Sequence, residues 1–254
     1  MRTLFLTALL VLAPAAFAAN ATFEGFARAP DSGALLYVES HFVWDAGARD
    51  ESRIVLYRCP RDGRPFARKE LSYAQVRNAP SFDFQDARSG FAEGLGRGTG
   101  VAVAYARAGA KEPRRDAAVP DPKLIADAGF DEFVRANWAA LQEGTALTAP
   151  FLVPSLLDSV DFRVRKKAGT RVEGAESSVI RLSVAGPLGW FLSDIDVTYR
   201  NEDRRLLSYR GVTNIRDAAG KMLTARIDFP DDVRRDDAPS AAQLRAMPLV
   251  SGCE

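Results

Sequence analysis

The chain contains a single histidine, His41, so any Ser-His or metal-histidine chemistry must pass through that side chain. On an extended strand His41 shares a face with Glu39, two residues away, where a carboxylate can orient the imidazole or join it as a second ligand. A metal centre needs a third ligand and a hydrolase needs a nucleophile, yet no G-x-S-x-G or S-x-x-K signature is present. The expectation is a histidine satisfied by Glu39 or by water. Acid pairs are the next candidates for general acid and base work. Asp194 and Asp196 stand about 7 Å apart on one strand face, but they alternate with Ile195 and Val197 and so read as part of a polar outer face. Asp231 and Asp232 follow the strand-breaking Pro230. The glycine-rich residues 94–100 fit neither G-x-G-x-x-G nor G-x-x-x-x-G-K-[ST], and a strand follows where a phosphate loop needs a helix N-terminus. They read as a flexible strand connection. No catalytic residue, metal site or cofactor is expected.

The N-terminus narrows the setting. Arg2 precedes an apolar run over residues 4–13, Pro14 breaks it, and Ala16-Phe17-Ala18 offers a small-x-small cleavage site. This is the pattern of a secretory signal peptide, residues 1–18, cleaved after Ala18. An apolar run of about 10 residues is far short of the roughly 20 a membrane span requires. Removing Arg2 takes Lys+Arg from 34 to 33, against 33 Asp+Glu, so the mature chain carries no net charge. Nucleic-acid binding wants a basic excess on one face, and none is visible. The expected location is periplasmic or secreted, an oxidising compartment in which Cys59 and Cys253 read as a disulfide tying the C-terminal tail to the first half of the sheet. Two separate thiols are the alternative.

Most of the remaining sequence reads as strands. Residues 195–229 form a three-stranded meander, with Ile195, Val197 and Tyr199 alternating against polar residues and a turn through Asp217 and Gly220. Residues 34–44, 53–59 and 65–73 form a comparable unit, its hairpin marked by Asp62-Gly63. In residues 65–73 Lys69 shares a face with Ala67 and Leu71, which leaves the inward face undecided. Residues 82–85, 101–107, 160–164 and 179–184 are shorter strands. Residues 19–32 read as a lead-in with a helical turn near 23–27, residues 108–122 as an outer loop, and residues 166–177 as a polar turn. One convincing helix covers residues 127–143, where Phe130, Phe133, Val134, Trp138 and Leu141 make an apolar stripe, with Asp127 as N-cap and Gly144 as stop. A further helical turn is expected at 241–247. The links are too short for parallel crossovers. The predicted fold is mainly β, a large curved antiparallel sheet of about ten strands, half-barrel or open barrel, in one domain over residues 19–254 with the helix as an insertion.

The order signal peptide, meander, helix, meander resembles the half-barrel architecture of periplasmic lipoprotein and lipid carriers. The resemblance is one of architecture and transfers no binding residue. It implies an exported soluble envelope protein, non-enzymatic, holding an apolar small molecule, lipid or acyl chain between sheet and helix. The residues 101–107 carry alanines on one face, Ala102, Ala104 and Ala106, which let another element approach closely. With Phe133 and Trp138 of the helix and Trp190, these are the candidate cavity-lining positions. The alternatives are a structural or partner-binding envelope protein with a filled core, and a hydrolase using His41.

Overall fold

The turn residues of the meander behave as their chemistry dictates. The Asp217 carboxylate accepts from the backbone of Ala219 and Lys221, both at 2.9 Å, and Gly220 takes φ +80°, closing the hairpin. Gly63 does the same at φ +69° beside Asp62. The computed structural model describes residues 19–98, 101–119, 123–186 and 193–253; the expected signal peptide at 1–18 and the candidate Trp190 lie outside them.

Among the described residues fourteen strands form one antiparallel sheet. The first eight are β1 (Ala19–Arg28), β2 (Leu35–Ala46), β3 (Ser52–Arg58), β4 (Pro65–Ser72), β5 (Ser81–Asp86), β6 (Phe91–Arg97), β7 (Ala102–Arg107) and β8 (Arg115–Val119). Two short helices follow, α1 (Gly129–Ala136) and α2 (Trp138–Gln142). Then come β9 (Leu147–Val153), β10 (Asp158–Val172), β11 (Ala175–Val184), β12 (Ile195–Arg200), β13 (Leu206–Arg216) and β14 (Met222–Asp228), and finally α3 (Ala241–Ala246). The chain starts in the middle of the sheet, runs strand by strand to the β8 edge, crosses through α1 and α2, and returns from the β9 edge to pair β14 with β1. The sheet is curved and not closed. Its edges meet through a 3-10 turn, Pro154–Leu156, which lies on β6 and β7, and Arg115 donates to the Ser155 carbonyl at 3.2 Å.

The mainly antiparallel open-barrel expectation holds, with four corrections to its parts. First, residues 19–28 are a strand and contain no helical turn, because β1 is paired on both sides, by β2 and β14; tertiary pairing overrides weak local preference. Second, the glycine-rich run is not a connection throughout. Its first part lies within β6, where a Cβ on Gly94 would stand 2.2 Å from the Phe82 carbonyl oxygen and 2.6 Å from the Tyr105 ring, so glycine is what lets Tyr105 cross the strand. Third, part of the expected loop at 108–122 is β8, and the expected turn at 166–177 is mostly strand. The β10–β11 turn is confined to Glu173 and Gly174, at φ +49° and +83°. Fourth, the single helix over 127–143 is two. Asn137 leaves helical geometry at φ −105°, ψ 17°, and its Nδ2 donates to the Phe133 carbonyl at 2.8 Å, competing with the helical ladder. Asp127 is not the N-cap. Ala128 holds that position, and Asp127 sits one residue earlier at φ +45°.

Three apolar clusters follow from this layout. The largest lines the concave side of β2–β7 and β14, with Tyr37, Tyr57, Phe84, Leu95, Ala102 and Ala104. A second lies beneath the helices, where Phe130, Val134, Trp138 and Leu141 cover Val164, Ile180, Leu182 and Val197 of β10–β12. The third is on the outer face, where Leu244 of α3 packs on Phe42, Ile54 and Leu56. The tail reaches that position through a capping box, Ser240 with Gln243, and ends in the Cys59–Cys253 disulfide. Leu244 is fully buried, so Leu244→Ala should cost about 3 kcal/mol, the usual loss for a leucine truncated in a packed site. Urea denaturation of the variant checks this; a shift below about 1 kcal/mol would mean that α3 can detach without loss.

Candidate functional site

Strand register brings the chemistry-bearing side chains into one row. Residues paired directly across an antiparallel sheet share a face, and the pairs Phe23–His41, His41–Val55, Val55–Lys69, Lys69–Phe84, Phe84–Glu93 and Glu93–Ala106 run across β1 to β7. The row lies on the concave side. It carries the one histidine, a lysine and a glutamate into an otherwise aromatic and aliphatic surface.

Each polar member has its own account. His41 Nε2 is 2.9 Å from Glu39 Oε2, and its ring stacks on Phe23 at 4.5 Å and meets the edge of Phe229. This is the expected satisfied histidine. Lys69 points inward, with Nζ 2.8 and 3.0 Å from the two oxygens of Asp127 and 5.9 Å from the centre of the Tyr57 ring. Burial alone would lower its pKa, but Asp127 and then Tyr57 outweigh that and hold it well above the ordinary lysine value. Asp127 also accepts from the Ala128 backbone at 2.7 Å, so the left-handed residue at the head of α1 is tied to the barrel wall by its side chain. Sequence periodicity missed this pair, since its members are 58 residues apart; the signal available was the odd lysine on an apolar strand face.

Glu93 is 8 % exposed. Burial, with Asp127 adding to it and Lys69 and Arg216 opposing it, pushes its carboxyl up to about 7. An acid whose folded pKa lies above the ordinary 4.5 favours folding fully only below that ordinary value, and the contribution is lost as pH rises toward 7. Glu93→Gln should therefore flatten the loss of stability between pH 5 and 8 and gain up to about 3 kcal/mol at the upper end. Denaturation midpoints at the two pH values test this, and an unchanged slope in the variant refutes it.

The outer acid pair behaves as its alternation implies. Asp196 accepts from Arg181 at 2.7 Å, and Arg181 also holds Asp194 at 2.7 Å. Among the described residues no group of three or more His, Cys, Asp and Glu side chains is placed to hold a metal. No helix among them is long and apolar enough to cross a membrane. Two open clefts among the described residues measure about 300 and 230 Å³; the first is lined by Ser40, Phe42 and Arg58 of the outer face together with Phe23 and His41 of the row, the second by Asp83, Tyr105 and Arg114.

The candidate cavity-lining positions fall in two places. Ala102 and Ala104 are buried in the first cluster, and Ala106 is buried opposite Glu93. Phe133 and Trp138 belong to the second. What approaches the alanine-faced strand is the Pro154–Leu156 turn, whereas the helices pack on the other half of the sheet. Small side chains on β7 admit a turn of backbone there, and the helical stripe matches the aliphatic face of β10–β12.

No protein-family profile matches the sequence, and no characterised protein sequence matches it significantly. Solved structures do. A β-barrel-like protein of the domain of unknown function DUF1849 from Brucella abortus is similar with a TM-score of 0.51 at 9% identity, covering 84% of this chain and 99% of that one. A DUF1329 family protein from Desulfovibrio piger gives 0.32 at 9% identity, covering 92% of each chain. A domain from Vibrio parahaemolyticus provisionally assigned to outer membrane lipoprotein sorting gives 0.28 at 10% identity, covering 85% and 84%. The last two scores are too low to carry weight. The first establishes that this chain shares a β-barrel-like fold with the Brucella protein, the half-barrel architecture its element order suggests.

Proposed function

We propose that this is an exported, non-enzymatic binding protein of the cell envelope that takes an apolar ligand, a lipid or acyl chain, on the concave side of its half-barrel beneath α1 and α2. The observation that carries the reading is the second apolar cluster. There a continuous aliphatic face of β10–β12, Val164, Ile180, Leu182 and Val197, is covered by two short helices broken at Asn137. Such helices are marginal on their own. They are moored at their rim by polar contacts, Asp127 to Lys69, Glu132 to Arg77 at 2.8 Å and Asp131 to Tyr199 at 2.7 Å. If the pair lifts, the face it leaves is a trough that an acyl chain can fill, with Phe133 and Trp138 on the lid. The disulfide and the signal-peptide pattern of residues 1–18 support export.

A second reading, a partner-binding protein with a filled core, has one observation in its favour: the cleft at Asp83, Tyr105 and Arg114 lies on the outer face. Organic extraction and native mass spectrometry of the purified protein, followed by displacement of a hydrophobic dye with oleate, separate the two. Co-purified lipid or saturable displacement is expected. Neither lipid nor dye uptake would overturn the ligand reading in favour of the filled core, and pull-down from envelope fractions would then seek the partner.

A further inference from the structure

The position of Lys69 narrows the ligand class, resting on the reading of an acyl-binding trough above. Its strand neighbours are Val55 and Phe84, the Tyr57 ring lies 5.9 Å from its Nζ, and its side chain is 13% exposed. A lysine so placed needs an anion, because an unpaired buried ammonium is strongly disfavoured. In the closed form the anion is Asp127, which belongs to the moving segment: it directly precedes α1 and bonds to the Ala128 backbone. When the helices lift, Asp127 leaves with them.

The other nearby carboxylates are poorly placed to replace it. Glu39 is engaged with His41 at 2.9 Å. Glu93 stands two strands away across Phe84, about 10 Å at ordinary strand spacing. Tyr209 joins the lysine to the trough, since it packs against both inner clusters and lies within electrostatic reach of Lys69. We propose that Lys69 is the head-group anchor of the trough and that the ligand is a single acyl chain ending in a carboxylate, which takes the place of Asp127 when the lid opens. Asp127 is then a built-in competitor: it neutralises the lysine in the empty protein and is displaced by a like charge.

The test compares oleate with methyl oleate, which share a chain and differ in charge, by dye displacement. The wild-type chain should bind oleate roughly tenfold more tightly than the ester, the ratio one charge-assisted contact provides. Lys69→Met should bring the acid-to-ester ratio to about one, and Lys69→Arg should restore the preference in part. Asp127→Asn should tighten oleate binding more than ester binding, because it removes the competing carboxylate as well as one mooring of the helices. Because Lys69→Met strands Asp127, the double variant Lys69→Met/Asp127→Asn, checked by circular dichroism, serves as the folded control. Equal binding of acid and ester by the wild-type chain, or a preference that survives in the double variant, would overturn the head-group assignment alone. Binding of neither ligand would overturn the trough itself.

Discussion

Cys253→Ser, or reduction of the Cys59–Cys253 bond, should lower the unfolding free energy by several kcal/mol, with about 5 kcal/mol as the ceiling for so long a loop. The bond joins residues 194 apart in sequence, and closing a loop of that length removes more disorder from the unfolded chain than any local contact does. It also holds a tail whose polar contacts are modest. Val250 donates to the Pro65 carbonyl at 2.9 Å, Arg245 pairs with Glu70 at 2.7 Å, and Arg68 donates to the Arg245 carbonyl at 2.8 Å. Surface ion pairs of this kind contribute about 1 kcal/mol or less each. Without the bond, α3 should detach from Phe42, Ile54 and Leu56 at lower denaturant than the sheet unfolds. Urea titrations with and without reductant, read alongside limited proteolysis of residues 231–253, check both statements. A reduced protein as stable as the oxidised one would show that the outer-face packing alone secures the tail.

Glu51→Ala is expected to cost about 3 kcal/mol, the loss typical when one member of a buried ion network is removed. The carboxylate is 2% exposed and accepts from Arg53 at 2.6 Å, the Gly47 backbone at 2.8 Å and Arg77 at 3.0 Å. Arg77 continues the chain of charges to Glu132 of α1, and both guanidinium groups lie over the Tyr73 ring, at 4.8 and 5.0 Å. Removing Glu51 leaves Arg53 buried beside Arg77 with no counter-charge between them. Glu51→Gln, which keeps acceptors in place, should lose less. The pH dependence has a definite sign. Burial would raise the Glu51 pKa, but Arg53, the Gly47 backbone and Arg77 together hold it below 4.5. Its stabilisation is thus present above that value and lost as pH falls through the lower folded pKa. The alanine variant should show a shallower acid limb than the parent. Melting curves at pH 3, 4 and 7 measure this, and parallel acid limbs would show that Glu51 is not the group responsible.

The Glu51 and Glu93 expectations concern adjacent pH windows, below 4.5 and from 4.5 to about 7. Glu51, through Arg77, ties α1 to the sheet and loses its hold in acid, whereas Glu93 penalises the folded state as pH rises toward neutrality. Maximum stability should fall between them.

By itself the sequence determined what depends on near neighbours. The turns at Asp62-Gly63 and Asp217 to Gly220 were legible because glycine supplies positive φ and aspartate bonds its own backbone, whatever the rest of the chain does. The strands on either side were legible from alternation. The disulfide was legible too, because the chain has just two cysteines and the export pattern implies an oxidising compartment. Only the tertiary structure decided what depends on distant partners. β1 became a strand because β2 pairs along its length and β14, from the far end of the chain, pairs with Phe26, Ala27 and Arg28; β6 carries Gly94 because Tyr105 needs the room. The site belongs to the same class: Lys69 shows its inward orientation only when Asp127 is brought to it. Periodicity reports which face of an element is buried, while ion pairs and sheet closure are set by which elements meet, and that is a property of the whole fold.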